Sequence, residues 1–189
     1  MQGSFCAFLD SNVLYPVSLR NLLMRLALAG LYRPCWSADV HEEWMRAVLR
    51  DRPDIPRERL QDIRAAMDRE AEDAIVTGYQ PLIASLSLPD PNDRHVLAAA
   101  IVGQADVIVT RNLRDFPDDA LARYNIEAQH PDEFVRHLLD LAPVLVVDAV
   151  REQQERLVNP PVAMADLLAA FERLGLVETV IELRRLMDG

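Results

Sequence analysis

The chain has 189 residues, a length that predicts one domain, or one domain with an appendage, and argues against two full domains. Half of the residues are hydrophobic and 26% are charged, which is typical of a packed globular protein and excludes a disordered or collagen-like chain. The 20 basic residues are all arginine, and 30 acidic residues bring the formal net charge to −10. The negative net charge argues against non-specific binding along nucleic acid. It is compatible with a nuclease that has a cluster of carboxylates.

Two further features bear on the compartment. No apolar run reaches the roughly 18 residues of a membrane span, and the first residues show neither a basic segment nor a cleavage site. Cys6 and Cys35 stand outside any CxxC pair and away from histidines at ligand spacing, which favours buried thiols over a disulfide or zinc site. We therefore expect a cytoplasmic protein that does not associate with membranes.

The first two thirds of the chain alternate between strand and helix patterns. A short apolar run ends at Asp10, as in a buried parallel strand, and Ser37 is a plausible N-cap for the helix that follows it. The predicted elements are, in chain order, a strand over 5–9, a helix over 17–31, a strand over 32–36, a helix through 42–48, one long surface helix over 53–77, a helix over 94–102 and a strand over 106–110.

The rest of the chain, after His130, has an almost entirely helical period. Helices are predicted over 133–141, 144–157, 164–174 and 176–187, although the run VLVV at 144–147 fits a buried helix or a strand. Together the patterns predict an α/β fold with a central parallel sheet, followed by a helical segment.

Four acidic residues occupy positions that this fold brings to one edge of the sheet. Asp10 ends the first strand, Glu43 lies on the helix after the second, Asp93 begins a helix, and Asp115 follows the VIVT strand. Residues beyond the carboxyl ends of parallel strands meet in one crevice, where such folds bind ligands. Clustered carboxylates repel one another, and a divalent cation relieves this repulsion. Oxygen ligands without cysteine or paired histidine favour Mg²⁺ or Mn²⁺.

These four positions lie in segments that together resemble a PIN domain, in particular the VapC-type toxins of bacteria. The resemblance covers about residues 5–140 and rests on LDSNVL (9–14), the Glu43 helix after WSADV (36–40), LPDPNDRHVLAAA (88–100) and VTRNLRDFP (109–117). It implies a three-layer α/β domain with a central parallel sheet over residues 1–140 and a helical extension over 141–189. The activity that it implies is that of a metal-dependent endoribonuclease, with Asp10, Glu43, Asp93 and Asp115 as catalytic and metal-binding residues. It also implies an RNA substrate, a cognate antitoxin and, as in many relatives, a homodimer.

The resemblance extends to several neighbouring residues and has departures. Asn12 and Thr110 match polar positions of the motifs and are assigned to substrate binding. Many relatives have an aspartate where this chain has Asn112, so the fourth carboxylate is assigned to Asp115. Asp90 is a further metal ligand or else a helix cap. Of two adjacent glutamates, the family pattern favours Glu43.

Each of these assignments has a structural alternative. Asp93 could only cap its helix, and Asp115 could be an ordinary turn residue. His41 and His95 lack a second histidine at metal spacing. We therefore expect each of them to lie at the surface or to contact a residue that binds the metal. Arginines are candidates for phosphate contacts or, equally, for ion pairs with acidic neighbours: Arg94, Arg111 and Arg114 beside the acidic motifs, and Arg46, Arg50, Arg52, Arg57 and Arg59 in a denser patch.

Two other functions compete with the endoribonuclease. One is a PIN-fold binding or regulatory module with little nuclease activity. The complete set of four carboxylates argues against this function. The other is a phosphatase of the haloacid-dehalogenase type, whose aspartate nucleophile needs a second aspartate two residues later. This chain has Asn12 there and contains no lysine to balance a phosphate.

Overall fold

The computed structural model describes residues 5–188, so the expectation about the leader segment, which rests on residues 1–4, lies outside the described range. Its strands are β1 (Cys6–Leu9), β2 (Arg33–Ser37), β3 (Ile75–Val76), β4 (Val107–Val109) and β5 (Glu127–Gln129). Its α-helices are α1 (Ser11–Leu14), α2 (Val17–Leu28), α3 (Ala38–Asp51), α4 (Arg57–Glu70), α5 (Gln80–Ile83), α6 (Arg94–Val102), α7 (Asp118–Leu121), α8 (Pro131–Leu141), α9 (Pro143–Glu155), α10 (Met164–Arg173) and α11 (Val177–Asp188).

The five strands form one parallel sheet in the order β3-β2-β1-β4-β5, with helices around it. This confirms the predicted three-layer α/β fold. The central strand β1 is fully apolar and buried because helices cover it, as sequence runs of this type indicate. Its neighbours β2 and β4 are parallel to it, so the carboxyl ends of all three strands lie at one edge of the sheet.

The predicted helix over 53–77 is confirmed only in its middle and is wrong at both ends. Helix α4 begins after Pro56 and ends at Glu70, and Asp73 then adopts a left-handed conformation with φ of 66°. Beyond it, β3 pairs with the end of β2, Trp36 opposite Ile75 and Ser37 opposite Val76. The hydrogen bonds of the sheet edge therefore outweigh the helical spacing of the apolar residues. Strand β5, also absent from the prediction, is a three-residue segment that pairs with β4.

The C-terminal helices confirm the sequence pattern, and the ambiguous run 144–147 lies in α9. Helix α9 packs against α2, and α11 packs against α8. Gln153 on α9 donates a hydrogen bond of 3.0 Å from its Nε2 to the carbonyl of Ser18 on α2. Of the helices within residues 5–188, none combines the length and the apolarity that crossing a bilayer requires.

Asp132, in the first turn of α8, satisfies the free N–H groups at the start of α11. Its carboxylate oxygens accept hydrogen bonds from the backbone N–H of Thr179 at 2.8 Å and of Glu178 at 3.0 Å. The first N–H groups of a helix have no partner within it, so this carboxylate acts as a cap supplied by another helix.

We expect Asp132→Ala to lower the free energy of unfolding by about 1 kcal/mol, the usual cost of losing an N-terminal cap. Urea unfolding followed by circular dichroism measures this change. Glu133→Ala is the matched control, because Glu133 is an exposed acid in the same helical turn. Equal stability of the two variants would show that the cap contributes nothing.

The two cysteines confirm the expectation of buried thiols. Cys6 on β1 and Cys35 on β2 are both free and buried, with their Sγ atoms 3.2 Å apart.

Candidate functional site

Asp10 lies at the carboxyl end of β1 and caps the short helix α1. One carboxylate oxygen accepts a hydrogen bond from the backbone N–H of Ser11 at 2.6 Å. The other accepts from the side-chain amide of Asn12 at 2.7 Å and from the hydroxyl of Thr110 at 2.8 Å. Thr110 follows β4, the neighbour of β1, so adjacent parallel strands place these groups together. The carboxylate is only 4% exposed and is held by three donors.

The environment of Asp10 opposes its ionisation despite these donors. Burial raises the pKa of the carboxyl, the hydrogen bonds from Thr110 and Ser11 lower it, and the charge of Glu43 raises it again. The net result is a pKa above its usual value. A buried carboxylate without a cationic partner carries a free-energy cost, which a bound cation would offset.

Glu43 is positioned by α3, which begins directly after β2 with Ser37 as its N-cap, as predicted; the hydroxyl accepts from the N–H of Val40. The Glu43 Oε1 atom lies 2.8 Å from Nε2 of His95 on α6. Its neighbour Glu42 turns away and pairs with Arg57 on α4 at 2.7 Å. Consecutive helical residues point in different directions, so only Glu43 can face the carboxyl ends of the strands.

The partner of Glu43 is the imidazole of His95, and the sequence alone does not identify this pair. Burial opposes its protonation, but the hydrogen bond and charge of Glu43 outweigh that effect and raise the pKa of the imidazole. Its Nδ1 atom is buried and has no hydrogen-bond partner among the described residues. The imidazole therefore contacts a candidate catalytic residue, one of the two placements expected for it. His41, in contrast, is fully buried between Asp68 and Trp44, so a surface position for it is wrong.

Asp93 begins α6 without capping it through its side chain, so the structural alternative for this residue has no hydrogen bond to support it. Its carboxyl has a pKa raised to about 7, first by burial and then by the negative charges of Asp10, Asp115 and Asp90. Four carboxyl groups are thus close enough for their charges to act on one another. Asp93 is on average only half ionised near neutral pH.

Asp115 and Asp90, whose charges act on Asp93, are positioned by short 3-10 turns. Asp115 is in a 3-10 turn over Leu113–Asp115 that follows β4. Asp90 accepts a hydrogen bond of 2.8 Å from the backbone N–H of Asn92, so it does cap the 3-10 turn over Pro91–Asp93. A carboxylate that caps a turn through one oxygen still has lone pairs for a ligand.

We call Asp10, Glu43, Asp93 and Asp115 the acidic group. Its donor atoms are all carboxylate oxygens, which suit Mg²⁺ or Mn²⁺. Burial and the charges of neighbouring carboxylates raise the pKa of Asp93, and a bound cation would offset both effects. As the side chains stand, no three His, Cys, Asp or Glu residues between positions 5 and 188 form a group that could hold a metal ion. The chemistry of the donors fits a divalent cation, and metal binding stays a prediction.

The polar residues beside the acidic group form a second layer of contacts. The Asn12 amide also donates to the Thr110 hydroxyl at 3.0 Å, and its carbonyl accepts from the backbone N–H of Arg111 at 3.0 Å. Asn12 and Thr110 therefore orient Asp10. Their assignment to substrate binding stays a prediction.

The candidate arginines divide into paired and unpaired side chains. Three of the basic patch form ion pairs: Arg50 with Asp51, Arg52 with Asp54 and Arg57 with Glu42. Those beside the acidic motifs, Arg94, Arg111 and Arg114, make no ion pair with any described residue, and the Nε of Arg94 donates to the carbonyl of Pro91 at 2.9 Å. Arg46 and Arg59 of the patch also make no ion pair with any described residue. The unpaired arginines are the ones available for phosphate contacts, and three of them lie beside the acidic motifs.

A cavity of about 830 Å³ lies elsewhere, between α2, α4 and α9. None of the acidic group lines it. Its volume alone does not make it the functional site, because the coupled carboxyl groups lie at the sheet edge.

Comparisons with known proteins match both parts of the chain. A family model described as "PIN domain" matches residues 7–114, more than half of the chain, and one described as "VapC50 C-terminal domain" matches residues 131–185. "Putative ribonuclease VapC50" of Mycobacterium tuberculosis (strain ATCC 25618 / H37Rv) is 43% identical over 98 residues, which are 52% of this chain and 57% of that protein. The match thus spans just over half the length of this curated relative. No solved structure matches the chain at a significant level.

Proposed function

Since the chain belongs to the PIN domain family and is of the VapC type, we propose that it is a metal-dependent endoribonuclease. The observation that carries this proposal is the buried Asp10 carboxylate, which Ser11, Asn12 and Thr110 hold at the carboxyl edge of the sheet, close enough to Asp93 for their charges to interact. The match to a PIN model argues against the phosphatase alternative. The predicted division of the chain at residue 140 stays a prediction.

The acidic group would hold the metal, with Asp10 and Asp93 as the first choices for direct ligands. Glu43 and Asp115 would act through water or orient the attacking nucleophile, and Asp90 would be a further ligand. When bound, Mg²⁺ or Mn²⁺ supplies activation of water and stabilisation of negative charge on the phosphate. Three donors fix the Asp10 carboxylate, and His95 fixes the Glu43 carboxylate. The unpaired Arg94, Arg111 and Arg114 would bind the phosphates of the RNA strand.

We expect the purified protein to cleave RNA only when Mg²⁺ or Mn²⁺ is added, because no side chain of the acidic group can compensate the charge of a phosphate. Gel analysis of a labelled RNA, with excess chelator and with chelator followed by Mn²⁺, tests this. Full cleavage in excess chelator would contradict the metal assignment. RNA binding without cleavage under all conditions would favour the binding-module alternative.

We further propose that the protein is the toxin of a toxin-antitoxin pair, acts in the cytoplasm and forms a homodimer. The resemblance to VapC-type proteins supports the first point. An antitoxin segment with an arginine would suit the acidic group, since a guanidinium binds carboxylates in a bidentate manner.

Expression of the chain without a partner should slow bacterial growth, and co-expression of the neighbouring gene should relieve this. Growth curves and co-purification measure the two effects, with Asp93→Asn as the control for cleavage. A wild-type chain that is harmless when clearly overproduced, and that captures no neighbouring product, would exclude the toxin role even if the enzyme cleaves RNA.

A further inference from the structure

A second, smaller cavity of about 240 Å³ opens directly beside the acidic group. Three of the residues that line it belong to the candidate site: Ser11, Asn12 and Glu43. The others are Tyr15, Trp44, Ala47, Arg50, Asp51 and Arg111. Ligand pockets for drug-sized molecules have volumes of roughly 300–1,000 Å³, so this cavity suits a single ring system.

The cavity contains a carboxylate at an unfavourable place in its helix. Asp51 is the last residue of α3, where the helix dipole disfavours negative charge. Its oxygens are held by Arg50, which donates from Nε at 2.9 Å, and by the Tyr15 hydroxyl at 2.8 Å. These two bonds keep the pKa of Asp51 below its usual value, so that it presents only acceptors at neutral pH. A carboxylate kept at such a position suggests a role in binding.

The pairing of Arg50 with Asp51 produces a specific pattern of hydrogen-bonding groups. The two side chains are adjacent and largely exposed, with 73% and 41% of each side chain accessible, so a ligand can rearrange them at little cost. Together they offer a guanidinium donor next to two carboxylate acceptors. Among the RNA bases, only guanine carries the complementary order on its Watson–Crick edge, an acceptor at O6 followed by donors at N1 and N2.

The other walls of the cavity suit a nucleotide within an RNA strand. Tyr15 is half-buried and offers an aromatic ring, on which unstacked bases commonly stack in proteins that read single-stranded RNA. Arg111 is exposed, makes no ion pair with any described residue, and lines the cavity together with Asn12, to which its backbone N–H donates. A phosphate at Arg111 would connect a base in the cavity to a scissile bond at the acidic group.

We propose that this cavity is a base subsite that binds a guanine next to the scissile phosphate, with Asp51 accepting from N1–H and N2–H and Arg50 donating to O6. The inference rests on the proposed ribonuclease function and adds a sequence preference to it. Asp51 and Arg50 read the base, and Tyr15 orients Asp51 and supports the ring.

The test compares cleavage of RNA molecules that differ only in the base at each position around one cleaved bond. Wild-type protein should prefer guanine at one of the adjacent positions by about 10-fold, the effect of one good bidentate contact. Asp51→Asn should lose most of this preference, because its amide nitrogen faces a donor on the base, and should still cleave the other sequences. Tyr15→Ala should weaken the preference as well.

Asp54→Asn is the matched control. Asp54 holds Arg52 through two bonds of 2.9 and 2.8 Å, much as Asp51 holds Arg50, but it does not line the cavity. This variant should keep the wild-type preference and rate. A preference that survives in Asp51→Asn, a preference for another base, or none at all would overturn the subsite while leaving the ribonuclease intact.

Binding of guanosine 5′-monophosphate and adenosine 5′-monophosphate, measured in chelator by calorimetry, separates the two proposals. If the protein cleaves no RNA but binds the guanine nucleotide more tightly and loses this difference in Asp51→Asn, the proposed function fails and the subsite stands. If it neither cleaves RNA nor distinguishes the two nucleotides, both proposals fail.

Discussion

Asp93→Asn is expected to lower the rate of RNA cleavage by at least about 100-fold, the loss typical of a positioned catalytic group. Asp10→Asn should have an effect of the same size, because each substitution removes one negative charge from a group proposed to hold the metal. The variants keep the volume of the side chain. Cleavage of a labelled RNA at saturating Mn²⁺ measures the change, and near-wild-type rates would refute the catalytic assignment.

The stability of Asp93→Asn should change in the opposite direction from its activity. The pKa of Asp93 is about 7 in the folded protein against its usual 3.8, so the folded state binds more protons between these pH values. The stability of the metal-free wild type therefore falls as the pH rises from about 4 to about 7. Asn cannot ionise, so the variant escapes this loss and should melt a few degrees higher at pH 8.

Melting curves in chelator at pH 5 and pH 8 measure this difference, with Asp62→Asn as the control. Asp62 is an exposed acid on α4, outside the acidic group. Saturating Mn²⁺ should raise the melting temperature of the wild type more than that of Asp93→Asn. A variant that melts lower than the wild type at pH 8 would instead assign Asp93 a structural role.

Removing residues 142–189 is expected to prevent cooperative folding of the remaining fragment. The C-terminal helices complete the core, with Val146 and Val150 of α9, Phe171 of α10 and Leu183 of α11 all fully buried. Loss of these side chains would expose the faces of α2 and α8 that they cover. Each large buried side chain contributes roughly 1.5–3 kcal/mol, so losing these four removes roughly 6–12 kcal/mol, which is comparable to the roughly 5–15 kcal/mol that stabilises a typical domain.

Circular dichroism during heating tests this expectation. The fragment should lack a sharp melting transition, and adding the segment 142–189 as a separate chain should restore one. A fragment that melts cooperatively within a few degrees of the whole chain would show that the predicted domain over residues 1–140 folds by itself. Either result also tests the predicted boundary between the two parts.

The sequence by itself determined the central strands and most of the helices, and it predicted the acidic group. Strands that are buried on both faces must be apolar throughout, so β1 and β4 stand out, and each ends in a polar residue, Asp10 or Thr110. The helical spacing of the apolar residues over 131–188 predicted the C-terminal helices in the same direct way. Positions after parallel strands converge for geometric reasons, so these patterns also predicted where the site lies.

Only the tertiary structure decided which side chains touch. β3 and β5 form because each pairs with the backbone of a neighbouring strand, β2 or β4. The local residue pattern of a segment does not show which strand will lie beside it. The contact of Glu43 with His95, 52 positions apart, and that of Tyr15 with Asp51, 36 positions apart, depend in the same way on how helices pack. Local spacing encodes periodicity, whereas long-range contacts follow from the packing of complete elements.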